Sequence, residues 1–306
     1  MSKTAYIFPG QGSQYVGMAK DWYDSNPDAR GMFDRATEIL GFDISKICFQ
    51  GPEDELRQTS VTQPAIFLHS AIAFSLIAGN RQFDAAAGHS LGEYSALFAA
   101  GAIDFEHALM LVGLRGRLMQ NAGNVRQGTM AAVVGLDEKK VEEACREASV
   151  NGIAQPANYN SPGQIVISGD VEAVRKAMEL SKNAGAKIVK ELVVSGAFHS
   201  PLMEAAKEEL KKAIDSAPIK DAAVPVYANV TAKPVRYATE IKEALIMQLT
   251  NPVRWQESVA NMSADGVTKF VEIGPGKVLQ GLVKRTVSGG TVVGIDKVNE
   301  ASVLSE

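Results

Sequence analysis

The stretch Ala85-Ala86-Ala87-Gly88-His89-Ser90-Leu91-Gly92-Glu93 decides the fold. Its small apolar residues predict a buried strand, and a helix-like run from Glu93 to Ala100 follows the second glycine. Between a strand and a helix, the pattern G-x-S-x-G puts its serine on a sharp turn with the hydroxyl exposed. The glycines let the strand and the helix approach closely. We therefore predict that Ser90 is a nucleophile; the structural alternative is an ordinary glycine-bounded loop.

Two backbone N–H groups are candidates for stabilising negative charge near Ser90. The N–H of Leu91 lies at the predicted helix start, where it would point at an oxyanion beside Ser90. The loop Pro9-Gly10-Gln11-Gly12-Ser13-Gln14 follows the predicted strand Tyr6-Ile7-Phe8 and matches neither the P-loop nor the dinucleotide-binding pattern. Its glycines allow the N–H of Gln11 to face a ligand.

Composition narrows the class of protein and its partners. The 306 residues are 46% hydrophobic and 22% charged, which is enough for one large core or a core with a smaller one inserted. The net charge of −4 favours no nucleic-acid partner, so an acidic partner must meet a local basic patch. Cys48 and Cys145 form no metal or disulfide framework. We see no signal peptide and no apolar run of membrane-spanning length, and we expect a cytoplasmic protein.

Alternating short strands and helices predict the α/β class. Residues 126–195 interrupt this pattern with the order β-α-β-β-α-β, which is typical of a ferredoxin-like domain. We predict an α/β-hydrolase-like large domain with a mostly parallel sheet, formed by residues 1–125 and 197–306. The ferredoxin-like small domain, residues 126–196, is inserted into it.

An arginine lies on the apolar face of a predicted helix that runs from Asp104 to about Asn121. Arg115 falls within the stripe of apolar residues at helical spacing, whereas Arg117 does not. An arginine that faces a core needs an anionic partner. That partner is either an internal carboxylate or the carboxylate of a substrate, and spacing alone favours neither.

Histidine and glutamine candidates complete the set. Of four histidines, His199 alone lies in a glycine-flanked loop between a predicted strand and a helix that Pro201 opens. This setting suits a general base, and a helix-capping histidine is the alternative. Gln63 adjoins the predicted start of an apolar helix at Thr62, and is either a site residue or a cap.

Together these motifs resemble the malonyl-CoA:acyl carrier protein transacylases of fatty acid synthesis and, more broadly, the acyltransferase domains of polyketide synthases. The resemblance covers nearly the whole chain. It rests on motifs that occur in the family's order: Phe8 to Gln14, Thr62-Gln63-Pro64, Gly88 to Glu93, Arg115, Asn158 to Gly163, Gly196 to Pro201, Asn251 to Trp255 and Glu272 to Gly276.

The resemblance implies a role for each matching position. Ser90 corresponds to the nucleophile and His199 to its base. The N–H groups of Gln11 and Leu91 correspond to the oxyanion hole. Arg115 corresponds to the clamp on the malonyl carboxylate, which decides between the two readings of this residue.

Four further positions match the family's pocket. Gln63 lies near the clamp, and Asn160 belongs to the pocket rim that the small domain contributes. The carbonyl of Gln248 would orient His199 where other triads use an aspartate. In the family, a phenylalanine such as Phe198 before the histidine goes with malonyl, and smaller residues go with methylmalonyl.

The implied activity is malonyl transfer from malonyl-CoA to the phosphopantetheine thiol of acyl carrier protein, through a malonyl-Ser90 intermediate. No metal or cofactor is implied, since the coenzyme A thioester is a substrate, and no nucleic acid or membrane is expected. We expect a monomer. Because acyl carrier proteins are acidic, the candidates for a docking patch are basic: Lys187, Lys190, Lys284 and Arg285.

Other activities share some of these motifs. A polyketide acyltransferase that acts in trans would have the same chemistry. A serine esterase or thioesterase of the α/β-hydrolase class shares G-x-S-x-G, but it expects an acidic orienter and a histidine nearer the chain end. A binding subunit with a decayed site is a non-enzymatic alternative, and it is disfavoured because every expected group is present.

Overall fold

The computed structural model describes residues 3–78 and 81–304. The strands are β1 Lys3–Phe8, β2 Ala85–Gly88, β3 Gly128–Val134, β4 Ala154–Ser161, β5 Gln164–Asp170, β6 Ile188–Glu191, β7 Val226–Tyr227, β8 Pro234–Val235, β9 Val267–Ile273 and β10 Thr291–Ile295. The helices are α1 Lys20–Ser25, α2 Pro27–Leu40, α3 Ile44–Gln50, α4 Glu53–Leu56, α5 Thr59–Ala73, α6 Gly92–Ala99, α7 Phe105–Val125, α8 Glu138–Ala148, α9 Val171–Asn183, α10 Glu204–Ser216, α11 Ala238–Gln248, α12 Trp255–Ala264 and α13 Val278–Thr286.

A six-stranded sheet forms the centre of the molecule. Its strand order is β10-β9-β1-β2-β7-β8, and every pairing is parallel except that of β7 with β8. From Ala5 to Phe8 in β1 and along the whole of β2 the central strands are apolar and buried, as expected for a parallel sheet with helices on both faces. The prediction of an α/β protein with a mostly parallel sheet is confirmed, and a second, antiparallel sheet accompanies it.

The parallel register brings three loops to one edge of the main sheet. Phe8 at the end of β1 is level with Gly88 at the end of β2, and Ala87 is level with Tyr227 at the end of β7. The residues that follow these strands therefore meet at the same edge.

The second sheet has the order β4-β5-β3-β6, and all of its pairings are antiparallel. Along the chain its elements follow the order β3, α8, β4, β5, α9, β6. Its buried residues, among them Val133, Val141 and Ile167, form a core of their own with α8 and α9. The sheet is tied to the rest of the molecule where β4 runs beside Val253.

The apolar helix α5 begins earlier than the sequence analysis expects. Thr62 was the expected cap and Pro64 the expected first turn, but the helix starts at Thr59 and Pro64 lies inside it. The carbonyl of Gln58 accepts hydrogen bonds from the N–H groups of Val61 at 2.9 Å and Thr62 at 2.8 Å. Gln58 is therefore the N-cap, and the helix begins at Thr59 because the Gln58 carbonyl starts its hydrogen-bond ladder.

The expectation that no apolar run reaches membrane-spanning length is wrong. The helical stretch Thr59–Ala78 is long and apolar enough, with a mean hydropathy of 1.5. The earlier helix start adds residues, and His69 does not interrupt the helix. Because 83% of this window is buried inside the protein, the stretch has the environment of a core helix.

Candidate active site

Ser90 lies on the tight turn between β2 and α6. Its backbone has a φ of 53°, in the left-handed region that non-glycine residues rarely adopt. A Cβ atom at Gly88 would lie 1.9 Å from the backbone of Gly92, and one at Gly92 would lie 2.1 Å from the carbonyl oxygen of Phe8. Only glycine at both positions permits this turn, which lifts the Ser90 hydroxyl out of the sheet edge.

His199 faces Ser90 from the loop between β6 and α10. Its Nδ1 lies 2.9 Å from the carbonyl oxygen of Gln248, which can only accept, so Nδ1 carries the proton. Nε2 then accepts the hydrogen bond of the Ser90 hydroxyl at 2.8 Å. Burial, followed by the positive charge of Arg115, lowers the pKa of His199 to about 3. The imidazole is thus neutral and ready to take a proton.

Arg115 is fully buried in α7 and points at the Ser90 hydroxyl. Its Nη2 donates to the Ser90 hydroxyl at 3.0 Å and to Oε1 of Gln248 at 2.9 Å, and its Nη1 donates to Oε1 of Gln63 at 2.7 Å. The guanidinium also stacks on the Tyr94 ring, 5.7 Å from its centre. Among the described residues Arg115 forms no ion pair, so its direct partners here are neutral.

Seven of the nine predicted site residues line one cavity of about 190 Å³: Gln11, Gln63, Ser90, Leu91, Asn160, Phe198 and His199. The other two, Arg115 and Gln248, are hydrogen-bonded to these. Asn160 reaches the cavity from β4, where its Oδ1 lies 2.8 Å from Nε2 of His89. The sheet edge and the second sheet therefore meet at Ser90.

Sequence reasoning missed two buried residues under the turn. Asn229 accepts the N–H of Ser90 on Oδ1 at 2.7 Å and donates from Nδ2 to the carbonyl of Gly88 at 2.7 Å. Glu93 accepts the backbone N–H of Asn229 at 3.0 Å. Burial raises the pKa of Glu93 to about 7, although the hydrogen bonds of Asn229 and Gln248 oppose this. The sequence signal that could have identified Glu93 is an acidic residue directly after the G-x-S-x-G motif.

Gln155 is a third residue outside the predicted set. Its Nε2 donates to the carbonyl of His199 at 3.0 Å. His199 has a φ of 56°, so this bond from β4 helps to hold a strained backbone.

Metal-binding residues do not cluster in the described ranges, which contain no group of three or more His, Cys, Asp or Glu side chains able to hold an ion.

Comparison with known proteins identifies the family. The family model described as "Acyl transferase domain" matches residues 5–304. The malonyl CoA-acyl carrier protein transacylase of Bacillus subtilis is 47% identical over 287 residues, which cover 93% of this chain and 90% of the relative. This chain belongs to the malonyl-CoA:acyl carrier protein transacylase family. The resemblance predicted from the sequence motifs is confirmed.

Other members of the transacylase family match over their full length. The malonyl CoA-acyl carrier protein transacylase of Escherichia coli K12 is 43% identical over 307 residues, covering 100% of this chain and 98% of the relative. The solved acyl carrier protein S-malonyltransferase of Vibrio cholerae has a TM-score of 0.94 at 43% identity, covering 99% of this chain and 100% of that one. A malonyl-transacylase solved in complex with its type II PKS acyl carrier protein has a TM-score of 0.95 at 41% identity, with 99% of both chains covered.

Proposed function

We propose that this protein transfers the malonyl group from malonyl-CoA to the phosphopantetheine thiol of acyl carrier protein. The observation that carries the proposal is the position of Arg115, a buried cation without an ion pair in the described residues, 3.0 Å from the Ser90 hydroxyl. A buried guanidinium of this kind favours a substrate that brings a carboxylate, with two parallel hydrogen bonds available to it.

In the first half of the reaction, the Ser90 oxygen attacks the thioester carbonyl while Nε2 of His199 takes the hydroxyl proton. The N–H groups of Gln11 and Leu91 stabilise the oxyanion of the tetrahedral intermediate. The carbon–sulfur bond breaks, coenzyme A leaves with the proton from His199, and malonyl-Ser90 remains.

In the second half, the thiol of acyl carrier protein enters the cavity. His199 takes the thiol proton and the sulfur attacks the malonyl-Ser90 ester. The bond to Ser90 breaks, its oxygen regains the proton from His199, and the malonyl thioester of the carrier leaves. Each substrate reacts before the next one binds.

The choice of acyl group depends on two residues of the cavity. Arg115 would pair with the malonyl carboxylate, so an acyl group without a carboxylate leaves this cation unpaired. Phe198 is buried beside His199 and takes up space next to the acyl group. In methylmalonyl the extra methyl group would compete with the Phe198 ring, so we expect malonyl to be preferred.

The neutral orienter of His199 bears on the esterase and thioesterase alternative. The carbonyl of Gln248 occupies the position where a hydrolase would have a carboxylate. A thioester is already activated, so a carbonyl is a sufficient partner for His199 in acyl transfer. An aspartate engineered beside His199 should therefore give no large gain in transfer rate, and a large gain would contradict this account.

We propose the finer architecture on the same basis. The element order β3 to β6, the strand order of the second sheet and its separate core support a ferredoxin-like domain of residues 126–196. It would be inserted into an α/β-hydrolase-like domain of residues 1–125 and 197–306. Different hydrogen-exchange rates for the core amides of the two sheets would support two units, and one common rate would not.

We also propose that the protein works as a cytoplasmic monomer without a cofactor. Sedimentation equilibrium of the purified chain tests the monomer, and a stable dimer would contradict it. Activity that survives dialysis against a chelator is the expected result for a reaction that uses only the side chains and backbone of this site.

The direct test is steady-state transfer from malonyl-CoA to holo-acyl carrier protein. We expect parallel lines in double-reciprocal plots, since a covalent intermediate separates the two substrates. Activity on simple neutral esters is measured alongside. Intersecting lines would contradict the covalent intermediate, and ester hydrolysis faster than malonyl transfer would support the hydrolase alternative.

A further inference from the structure

A buried carboxylate lies beneath the nucleophile, and the steps above do not use it. Glu93 is 2% exposed in the first turn of α6, three residues after Ser90. A buried charge is costly unless it is paired or hydrogen-bonded. Oε2 of Glu93 accepts two hydrogen bonds, from the backbone N–H of Asn229 at 3.0 Å and from Nε2 of Gln248 at 2.9 Å.

One of these partners is the side-chain amide of Gln248, and Glu93 determines which end of that amide faces it. An amide has one accepting and one donating end, and a carboxylate selects the donating end. With Nε2 turned to Glu93 and to the carbonyl of Ser90, Oε1 is left to accept from Nη2 of Arg115 at 2.9 Å. A reversed amide would set oxygen against carboxylate and N–H against guanidinium.

The second partner, Asn229, connects Glu93 to the strained turn. The same residue that donates its backbone N–H to Glu93 accepts the N–H of Ser90 and donates to the carbonyl of Gly88, both at 2.7 Å. Oε2 of Glu93 is thus hydrogen-bonded both to Asn229, which holds the turn at Ser90, and to Gln248, which holds Arg115.

We infer that Glu93 is a positioning residue whose carboxylate fixes the Gln248 amide and the Asn229 backbone, and thereby the direction in which Arg115 faces Ser90. This inference rests on the proposed malonyl transfer, because the clamp matters only for an acyl group with a carboxylate. It predicts that Glu93 controls the preference for malonyl over a neutral acyl group.

Two conservative variants distinguish the effect of the Glu93 side-chain length from the effect of its charge. Glu93→Asp keeps the charge but withdraws the carboxylate by one methylene, so both hydrogen bonds of Oε2 lengthen or break. Glu93→Gln keeps the length and one accepting oxygen but removes the charge. We expect the ratio of malonyl-CoA to acetyl-CoA kcat/KM to fall roughly tenfold in Glu93→Asp and to stay within about threefold in Glu93→Gln. The loss in Glu93→Asp should be mainly a higher KM for malonyl-CoA.

Glu272 supplies the matched control. It is also fully buried, and it accepts backbone N–H groups of Leu279 at 3.0 Å and Gln280 at 3.1 Å without contacting Arg115 or Gln248. Glu272→Asp and Glu272→Gln should lower thermal stability and leave the malonyl-to-acetyl ratio unchanged.

The results for the Glu93 variants and for wild type test the inference and the proposed function separately. Equal losses with both acyl donors in both Glu93 variants would reduce Glu93 to a folding role and overturn the inference. A preserved ratio in Glu93→Asp with a lost ratio in Glu93→Gln would also overturn it, since charge and not orientation would then matter. If wild-type protein takes no malonyl group, the proposed function fails and the inference fails with it.

Discussion

The surroundings of Arg115 support the proposal that it binds the carboxylate of the substrate. A buried guanidinium is always charged, and here its direct partners in the described residues are two glutamine oxygens, a serine hydroxyl and an aromatic face. Helical spacing alone left a structural ion pair and a substrate clamp equally open. No carboxylate of the described residues forms an ion pair with Arg115, which favours the second of these readings.

Substitution of Arg115 should change acyl selectivity. Arg115→Ala removes the charged donor, so we expect malonyl transfer to fall roughly 10- to 100-fold while acetyl transfer rises relative to it. Initial rates with malonyl-CoA and acetyl-CoA give the ratio. Arg117→Ala, an exposed arginine on the same helix, is the control. A retained malonyl preference in Arg115→Ala would show that Arg115 serves only the structure.

His199 should make the fold sensitive to acid. Its pKa is about 3 in the folded protein and near 6.5 when unfolded, so below pH 6.5 the unfolded state binds the extra proton and stability falls with pH. Between pH 7 and pH 5 this group alone should cost about 2 kcal/mol. Urea unfolding of wild type and His199→Gln at both pH values measures it.

The variant should lose about 2 kcal/mol less than wild type over that interval. Equal acid sensitivity of wild type and His199→Gln would contradict a buried, neutral His199.

Among single residues, the sequence singles out Ser90 and His199, which lie together in the structure, but it does not single out the residues that hold them in place. Ser90 and His199 stand out because their flanking glycines and proline are local signals. Asn229 and Glu93 do not, since their contacts join residues that are 136 to 139 positions apart. Patterns within a short stretch of sequence cannot predict contacts between residues so far apart. The only local indication was the position of Glu93, directly after the second glycine of the turn.

Among the elements, the turn between β2 and α6 depends on close backbone approach. Gly92→Ala would bring a Cβ within 2.1 Å of the Phe8 carbonyl oxygen, and backbone atoms cannot move aside as a flexible side chain does. We expect a loss of about 3 kcal/mol or more in the free energy of unfolding, measured in urea.

Gly31 in α2 is the matched control, because a Cβ there meets no atom within 4 Å. Gly31→Ala should stabilise the protein by about 0.5–1 kcal/mol through helix propensity. Stability of Gly92→Ala within 1 kcal/mol of wild type would contradict the tight turn described for β2 and α6.

Helix α7 and strand β7 show which elements local sequence signals can predict and which they cannot. The helix predicted from Asp104 is confirmed as α7, and Asp104 caps it by accepting the N–H of His107. Strand β7 is short, since only Val226 and Tyr227 pair. Asn229 lies outside the ladder, and its backbone N–H donates to the Glu93 carboxylate instead.

Over the whole molecule, the site lies where the two sheets meet. The second sheet supplies Gln155 to the His199 carbonyl and Asn160 to His89, while β4 is held by backbone hydrogen bonds to Val253. The general rules for strand pairing and for the handedness of connections allow this arrangement. Neither the β4 segment nor the Val253 segment alone, however, predicts that the two make contact. The family resemblance places Asn160 of the predicted small domain at the pocket rim, but the sequence does not predict the contacts of Gln155 and Val253.

The four basic residues predicted as a docking patch are close in sequence to residues that line the cavity. Lys187 and Lys190 adjoin Leu192 and Val194, which line the cavity, and Lys284 and Arg285 end the helix that contributes Leu282. All four are exposed, and none forms an ion pair within the described residues. They remain the candidates for a local basic patch on a protein with a net charge of −4.

Charge reversal in this patch should weaken the carrier half of the reaction. In Lys284→Glu/Arg285→Glu we expect the KM for acyl carrier protein to rise several-fold, and the effect to shrink as salt increases. Acylation by malonyl-CoA alone should change less. Lys139→Glu/Lys140→Glu, two exposed lysines of α8, has the same change in charge and is the control. Equal KM values in the two double variants would exclude this patch as the docking site.

The central claim is that Ser90 carries the malonyl group between the two substrates, and intact-protein mass spectrometry tests it most directly. After mixing with malonyl-CoA, the protein should gain the mass of one malonyl group, and holo-acyl carrier protein should then remove it. Ser90→Ala should gain nothing, and acetyl-CoA should label wild type weakly. Release of coenzyme A from wild type without any adduct, or an adduct that persists in Ser90→Ala, would contradict the account.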